Sequence, residues 1–280
     1  MIIFKKANQL SDYIEQQKKE GRIIGFVPTM GALHEGHLTL IDASKESNDI
    51  SICSIFINPT QFNNPDDLKN YPVTTAKDIE QLVYRKCDVL FLPSVEEIYP
   101  IGYEKKRYAL EEIETKLEGK FRPGHFQGVC QVVDRLLEIV QPHNLYLGQK
   151  DYQQCIVIKK LIELTGKENT VVLNIVPTVR EKEGLAMSSR NLRLTEEQRT
   201  LATAIFEELN LIRKNLKTQS LDELKKTANE HLTQKGFKVD YVEIANSIDL
   251  SPAKTASGQL ITLAAATIGN VRLIDNVILN

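Results

Sequence analysis

The chain has 280 residues, 42% of them hydrophobic and 26% charged, with a formal net charge of −2. That length holds one large domain or two modest ones, each with a real core. The near-neutral balance argues against a dedicated nucleic-acid binder, which would carry a basic excess, and no apolar run is long enough to span a bilayer.

The opening Met1-Ile2-Ile3-Phe4-Lys5-Lys6 reads as a first strand. It lacks the long apolar core and small-residue cleavage site of a signal peptide. Residues 23–27 form an apolar strand, and 35–47 follow with helical spacing. Residues 50–57 are almost continuously apolar, as in a strand buried on both faces. A helix is predicted over 75–86, capped by Thr74 or Thr75, then a short strand over 89–92. Val129, Val132, Val133, Leu136, Leu137 and Val140 mark a helix over 126–140 that stops before Pro142. A strand over 145–147, a helix over 151–165 and a strand over 171–176 complete the series. This alternation predicts a parallel sheet wrapped by helices. After residue 176 the pattern changes. Two long helices are predicted, over 195–216 and 220–236, then strands over 240–244, 260–267 and 271–278. Ile268-Gly269-Asn270 joins the last two strands as a hairpin. The expected domains are therefore 1–176 and 177–280. Their polar joint, 176–191, holds Lys182-Glu183-Gly184, which suits a mobile loop. Cys53, Cys87, Cys130 and Cys155 lack CxxC spacing and zinc-ligand spacing. They read as buried thiols of a reducing cytoplasm.

Ligands of such sheets bind beyond the carboxyl ends of the strands, and several segments fall there. Met30-Gly31-Ala32-Leu33-His34-Glu35-Gly36-His37 joins a strand to a helix. Unpaired N–H groups at a helix start attract anions, and two imidazoles there point to nucleotide phosphates. The same end should depress both histidine pKa values. Asn58 and Gln61 follow the next strand and offer neutral donors and acceptors for hydroxyl and carboxylate groups. Gly148-Gln149-Lys150-Asp151 is a second strand-to-helix turn, with a cation at the helix start. The alternative is Asp151 as a helix cap beside a solvated Lys150. Met187-Ser188-Ser189-Arg190, in the joint, combines hydroxyls with a guanidinium, either as a phosphate clamp or as a turn before a helix. Arg122 and His125 precede the 126–140 helix, where they could line the cleft or decorate its entry. The acidic Glu111-Glu112-Ile113-Glu114 reads as a solvated face.

Taken together, these motifs resemble the pantothenate synthetase (pantoate–β-alanine ligase) family. The resemblance rests on Pro28 to His37, Ser54-Ile55-Phe56-Ile57-Asn58-Pro59 with Gln61-Phe62, and Arg122 to Phe126 with Gly128-Val129. It continues through Gly148-x-Lys150-Asp151-x-Gln153-Gln154 and Leu185 to Asn191, up to Arg272-Leu273-Ile274-Asp275-Asn276. It implies an α/β fold, with a Rossmann-like sheet domain of the cytidylyltransferase type and a smaller α+β lid domain carrying a short antiparallel sheet. It implies that ATP and pantoate form pantoyl adenylate and pyrophosphate, and that β-alanine then displaces AMP. By resemblance, Met30 to His37, Gly148 to Asp151, Val179 and Met187 to Arg190 would hold ATP, with His37 the proton donor. Gln61 would contact pantoate and β-alanine, and Gln154 pantoate; Asn58 is assigned to pantoate with them. His34, His37, Lys150 and Arg190 are the residue types that the growing phosphate charge requires. Mg2+ with ATP, a homodimer and a cytoplasmic location are also implied, with neither nucleic acid nor membrane as partner.

The related Lys-Met-Ser-Lys-Ser signature of class I aminoacyl-tRNA synthetases is not matched. Ala186 and Ser189 stand at its lysine positions, and Arg190 supplies a charge nearby. Two alternatives stay open: a nucleotidyltransferase that adenylates a phosphorylated substrate, and a nucleotide sensor without turnover. The first would need more basic groups than the neutral Asn58, Gln61 and Gln154 provide; the second is disfavoured by intact His34, His37, Lys150 and Arg190.

Overall fold

The computed structural model describes residues 1–63 and 65–280. Strand β1 (Ile2–Phe4) and helix α1 (Ala7–Lys19) precede β2 (Ile24–Thr29), α2 (Glu35–Ser47) and β3 (Ile50–Ile55). Then come α3 (Pro65–Lys69), α4 (Thr75–Tyr84), β4 (Val89–Phe91), α5 (Val95–Ile98) and α6 (Glu118–Phe121). The long α7 (His125–Val140), β5 (Asn144–Gly148), α8 (Tyr152–Leu164) and β6 (Val172–Val176) follow. The strands form one parallel sheet in the order β1-β4-β3-β2-β5-β6. Every residue of β3 is buried, which explains its unbroken apolar run. The strand order turns back at β2. The chain leaves β2 for β3 and β4 on one side, and β5 lies on the other. Crevices that bind ligands open at such switch points.

Pro28 widens this one. Ile24 exchanges hydrogen bonds with His143 on the β5 side, whereas Thr29 accepts from Phe56 N–H on the β3 side. Backbone groups alternate sides along a strand, so the N–H that proline lacks is the one facing β5. Pairing between β2 and β5 accordingly stops after Gly25↔Asn144 and Phe26↔Leu145, while β2 stays paired with β3 to Thr29↔Ile55.

Helices α9 (Glu196–Ala202), α10 (Ala204–Asn215) and α11 (Leu221–Gln234) pack on an antiparallel sheet of β7 (Lys238–Asn246), β8 (Leu260–Ile268) and β9 (Val271–Ile278). Leu209, Leu232, Ile244 and Val271 belong to the core of this part, separate from that of the parallel sheet. The two parts meet through Tyr152 and Ile156 of α8, which cluster with Ala245, Leu250, Ile261 and Leu263. The Tyr152 hydroxyl also donates to Ser247 O at 2.9 Å.

The structure departs from the sequence reading in several places, the short helices α3, α5 and α6 among them. Helix α1 was not foreseen; only Leu10 and Ile14 of its 13 residues are buried, so its apolar stripe is thin. The helix expected over 195–216 is two helices that meet at Thr203. There the Thr203 hydroxyl donates to Thr200 O at 2.9 Å and tightens the turn. The strand expected over 50–57 ends at Ile55, because Asn58 opens a 3-10 turn over Pro59–Gln61. The stretch read as suiting a mobile loop carries a β-bridge between Arg180 and Ala186, with Gly184 turning at φ +100°. The four cysteines are buried and free.

Candidate active site

The turn between β2 and α2 is held in an unusual backbone conformation. Gly31 and Ala32 both have positive φ, +82° and +49°. For Ala32 this left-handed conformation carries a cost of roughly 1 kcal/mol. Asp78, from the first turn of α4, holds it there. Its carboxylate accepts from Ala32 N–H at 3.0 Å, Leu33 N–H at 2.8 Å and the Thr74 hydroxyl at 3.0 Å. Asp78 is only 1% exposed. A Cβ at position 31 would lie 3.1 Å from that carboxylate and 3.1 Å from Ile55, so space there is tight as well.

His34 and His37 then stack at the start of α2, with ring centroids 4.1 Å apart. Burial pushes the His37 pKa down to about 3, with the neighbouring His34 adding to the shift. Burial and then Lys150 push His34 down to about 4. Both rings are therefore neutral near pH 7. His37 Nδ1 accepts from the His34 backbone N–H at 3.4 Å, which assigns the ring proton to Nε2. That N–H is the donor available to a ligand.

After β3, Asn58 builds the wall opposite. Its Oδ1 accepts from Tyr99 OH at 3.0 Å and Thr60 Oγ1 at 3.0 Å. Its Nδ2 donates to Gln61 Oε1 and Gly128 O, both at 3.1 Å. Asn58 is 1% exposed and fully engaged, so it orients the Gln61 amide. Gly128 lets α7 approach this turn: a Cβ there would lie 2.3 Å from Thr60 O. His125 Nδ1 meets Gln61 O at 2.8 Å. Burial, and then the Arg122 charge, lower the His125 pKa to about 4.

The third wall carries charge. Lys150 Nζ lies 3.8 Å from Asp151, at the end of β5. Loss of solvation would raise the pKa of the half-exposed Asp151, but Lys150, Arg190 and Arg122 outweigh it and lower it, which keeps the carboxylate ionised. Among the described residues the Arg122 guanidinium makes no hydrogen bond or ion pair. Burial, with repulsion from Arg190, lowers its pKa to about 10. The joint closes over the top: Met187 N–H donates to Val179 O at 3.0 Å, and Ser188 Oγ accepts from Arg190 N–H at 3.2 Å.

These walls enclose a cavity of about 210 Å3 at the parted ends of β2 and β5. Of the residues singled out from sequence, Met30, His34, Gly36, His37, Asn58, Gln61, Arg122 and His125 line it. Gly148, Lys150, Asp151, Gln154, Val179 and Met187 to Arg190 line it too. Gly31, Ala32, Leu33, Glu35 and Gln149 are not among the lining residues. Glu35 instead pairs with Arg85, and Gln149 with Asn276. Sequence reasoning missed Thr178, whose buried Oγ1 has no hydrogen-bond partner among the described residues. It also missed Asp78, which carries no local signal beyond an acid in a helix's first turn. A second cleft, of about 420 Å3, opens beside the cavity between the two parts of the chain and shares Arg122, Lys150, Asp151, Ser188 and Arg190.

Comparison with known proteins gives the family. The family model described as pantoate-beta-alanine ligase matches residues 2–278. Pantothenate synthetase from Thermus thermophilus is 35% identical, with a TM-score of 0.93 over 99% of each chain. The pantoate-beta-alanine ligase of Francisella tularensis, solved with beta-gamma ATP and beta-alanine, is 41% identical. Its TM-score is 0.83, with 99% of this chain and 97% of that one covered. The chain belongs to the pantoate–β-alanine ligase family.

Proposed function

We propose that the crevice between β2 and β5 carries out both steps of pantothenate formation, with the roles that follow. A pantoate carboxylate oxygen attacks the α-phosphorus of ATP, and the bond to pyrophosphate breaks. The β-alanine amine then attacks the acyl carbon of the adenylate. The carbon–nitrogen bond forms, AMP leaves with its oxygen, and the amine gives up a proton. Neither step needs a covalent enzyme intermediate, so positioning and electrostatics carry the catalysis. The supporting observation is the convergence of His34, His37, Lys150 and Arg190 on one cavity that also holds Gln61 and Gln154.

His37 donates its Nε2–H to phosphate oxygen, with His34 beside it. Lys150 and Arg190 meet the charge that grows on the departing pyrophosphate. Ser188, Ser189, Val179 and Met187 cover the nucleotide, while Met30 and Gly36 let it approach α2. Gln61 and Gln154 hold pantoate, with Asn58 fixing the Gln61 amide, and Gln61 also borders the β-alanine position. Among the lining residues discussed, Arg122 is the cation not assigned to phosphate. Its charge suits the β-alanine carboxylate.

Mg2+ belongs to this reading as an ion that arrives with ATP. No group of three or more His, Cys, Asp or Glu side chains among the described residues could cage a metal. Asp151 is the acidic group lining the cavity and would hold the ion with the phosphates. Bound there, Mg2+ would neutralise triphosphate charge. In the same reading, residues 1–176 bind the substrates and 177–280 cover them. The chain works in the cytoplasm as a homodimer, to be checked by light scattering. No helix among the described residues is long and apolar enough to cross a membrane.

The test is a coupled assay for AMP with pantoate, β-alanine or Mg2+ omitted in turn. AMP should form only with all three present, and pantoate alone should support exchange between ATP and pyrophosphate. Exchange without pantoate, or AMP formation without β-alanine, would overturn the order of steps.

A further inference from the structure

Strand β9 reaches the site at three points. Arg272 donates to Glu118 at 2.7 and 2.8 Å, four residues before Arg122. Asp275 accepts from Arg180 at 2.6 and 3.0 Å, at the root of the joint. Asn276 meets the turn that carries Lys150. Its Nδ2 donates to the Gln149 and Lys150 carbonyls, both at 2.9 Å, and its Oδ1 accepts from Gln149 Nε2 at 3.1 Å. Asn276 is 2% exposed, and both its amide hydrogens are used.

Ahead of the turn, Gly148 pairs with Val176 of β6 and its carbonyl accepts from Cys155 Sγ at 3.4 Å; Asn276 is the side chain that holds the 149 and 150 carbonyls. Gln149–Asp151 is a single 3-10 turn. A Cβ added at Gly148 would meet nothing within 4 Å, so close packing does not lock the backbone there. The Lys150 ammonium has only Asp151 as an ion-pair partner among the described residues, at 3.8 Å. The Lys150 carbonyl is thus held by an amide 126 residues away.

We propose that Asn276 is a positioning residue for Lys150: its amide fixes the 149–150 carbonyls and so aims the ammonium at the phosphates. This rests on the reading above that Lys150 acts on the triphosphate. It also ties the small sheet to the chemistry, because the strand that completes that sheet sets a charged group of the other part. Asparagine suits the task. Aspartate could not donate to two carbonyls, and alanine would leave both without these partners.

A double-mutant cycle tests it, read as pantoate-dependent exchange between ATP and pyrophosphate. Asn276→Ala should lower the exchange rate roughly 30- to 100-fold, the scale of a small misplacement of a catalytic group. In a Lys150→Ala background the same change should cost less than about twofold, since there is no longer an ammonium to aim. Thermal melting of each variant checks folding. If Asn276→Ala does not fold, Asn276→Ser retains one donor and enters the same cycle with a smaller defect. Equal losses in both backgrounds would make Asn276 merely structural and overturn the proposal, as would no loss in the parent. If Lys150→Ala alone leaves exchange intact, the reading of Lys150 fails first, and its aiming with it.

Discussion

Replacing His37 with Asn should flatten the acid side of the protein's stability profile. The His37 pKa falls from 6.5 to about 3 in the folded chain, mainly through burial. Near pH 7 the ring is neutral in both folded and unfolded states and contributes almost nothing to their difference. As pH falls through 6.5 the unfolded chain takes up a proton that the folded chain refuses. A depressed folded pKa therefore means stability present above pH 6.5 and lost on acidification. Near pH 5.5 the unfolded ring is about nine-tenths protonated, a slope of about 1.2 kcal/mol per pH unit. Integrated from pH 7 to pH 5, the loss is about 2 kcal/mol for this one side chain. Asn keeps a side-chain oxygen for the His34 N–H but cannot titrate. Urea unfolding followed by circular dichroism, at several pH values in that window, gives both curves. The parent should lose about 2 kcal/mol more than His37→Asn between pH 7 and pH 5. Parallel curves would refute the assignment of a neutral His37 with a depressed pKa.

Three further outcomes follow from the site. Arg122→Gln should raise the KM for β-alanine roughly 50-fold, the loss of one charge-assisted bond; steady-state kinetics should show a much smaller effect on pantoate-dependent exchange. Gly128→Ala drives a Cβ to 2.3 Å from Thr60 O. The strain of about 3 kcal/mol, less about 1 kcal/mol of helix propensity gained, should appear as a net loss of about 2 kcal/mol in urea unfolding, and unchanged stability would contradict the packing. Chelation by EDTA should abolish AMP formation and added Mg2+ should restore it; full activity in EDTA would remove the ion from the reading.

The sequence made the sheet legible because parallel strands buried on both faces leave unbroken apolar runs. Ile50 to Ile55 is the plainest case, buried at each residue. The two strand-to-helix turns were legible because glycine, histidine and lysine have few reasons to gather there. What stayed hidden depends on partners far along the chain. Asp78 grips Ala32 and Leu33 across 46 and 45 residues, and Asn276 grips the Lys150 turn from the far end of the chain. No local period records such contacts. Asn58 shows a subtler gap: its residue type suits a ligand contact, and only the geometry reveals that Tyr99, Thr60, Gln61 and Gly128 already occupy its amide. Helix α1 was missed because two buried side chains in 13 residues barely rise above a polar loop.

Pro28 gives the site a property that side chains alone could not. Two neighbouring parallel strands normally zip along their whole shared length, since any unpaired N–H or C=O between them is costly once buried. A proline at the parting point has no N–H to leave unpaired, so it lowers the cost of the split. The opening proposed here to receive ATP and pantoate is therefore written into the main chain and stands ready before either arrives. Binding energy need not be spent on prying β2 from β5 and remains for orienting the reactants.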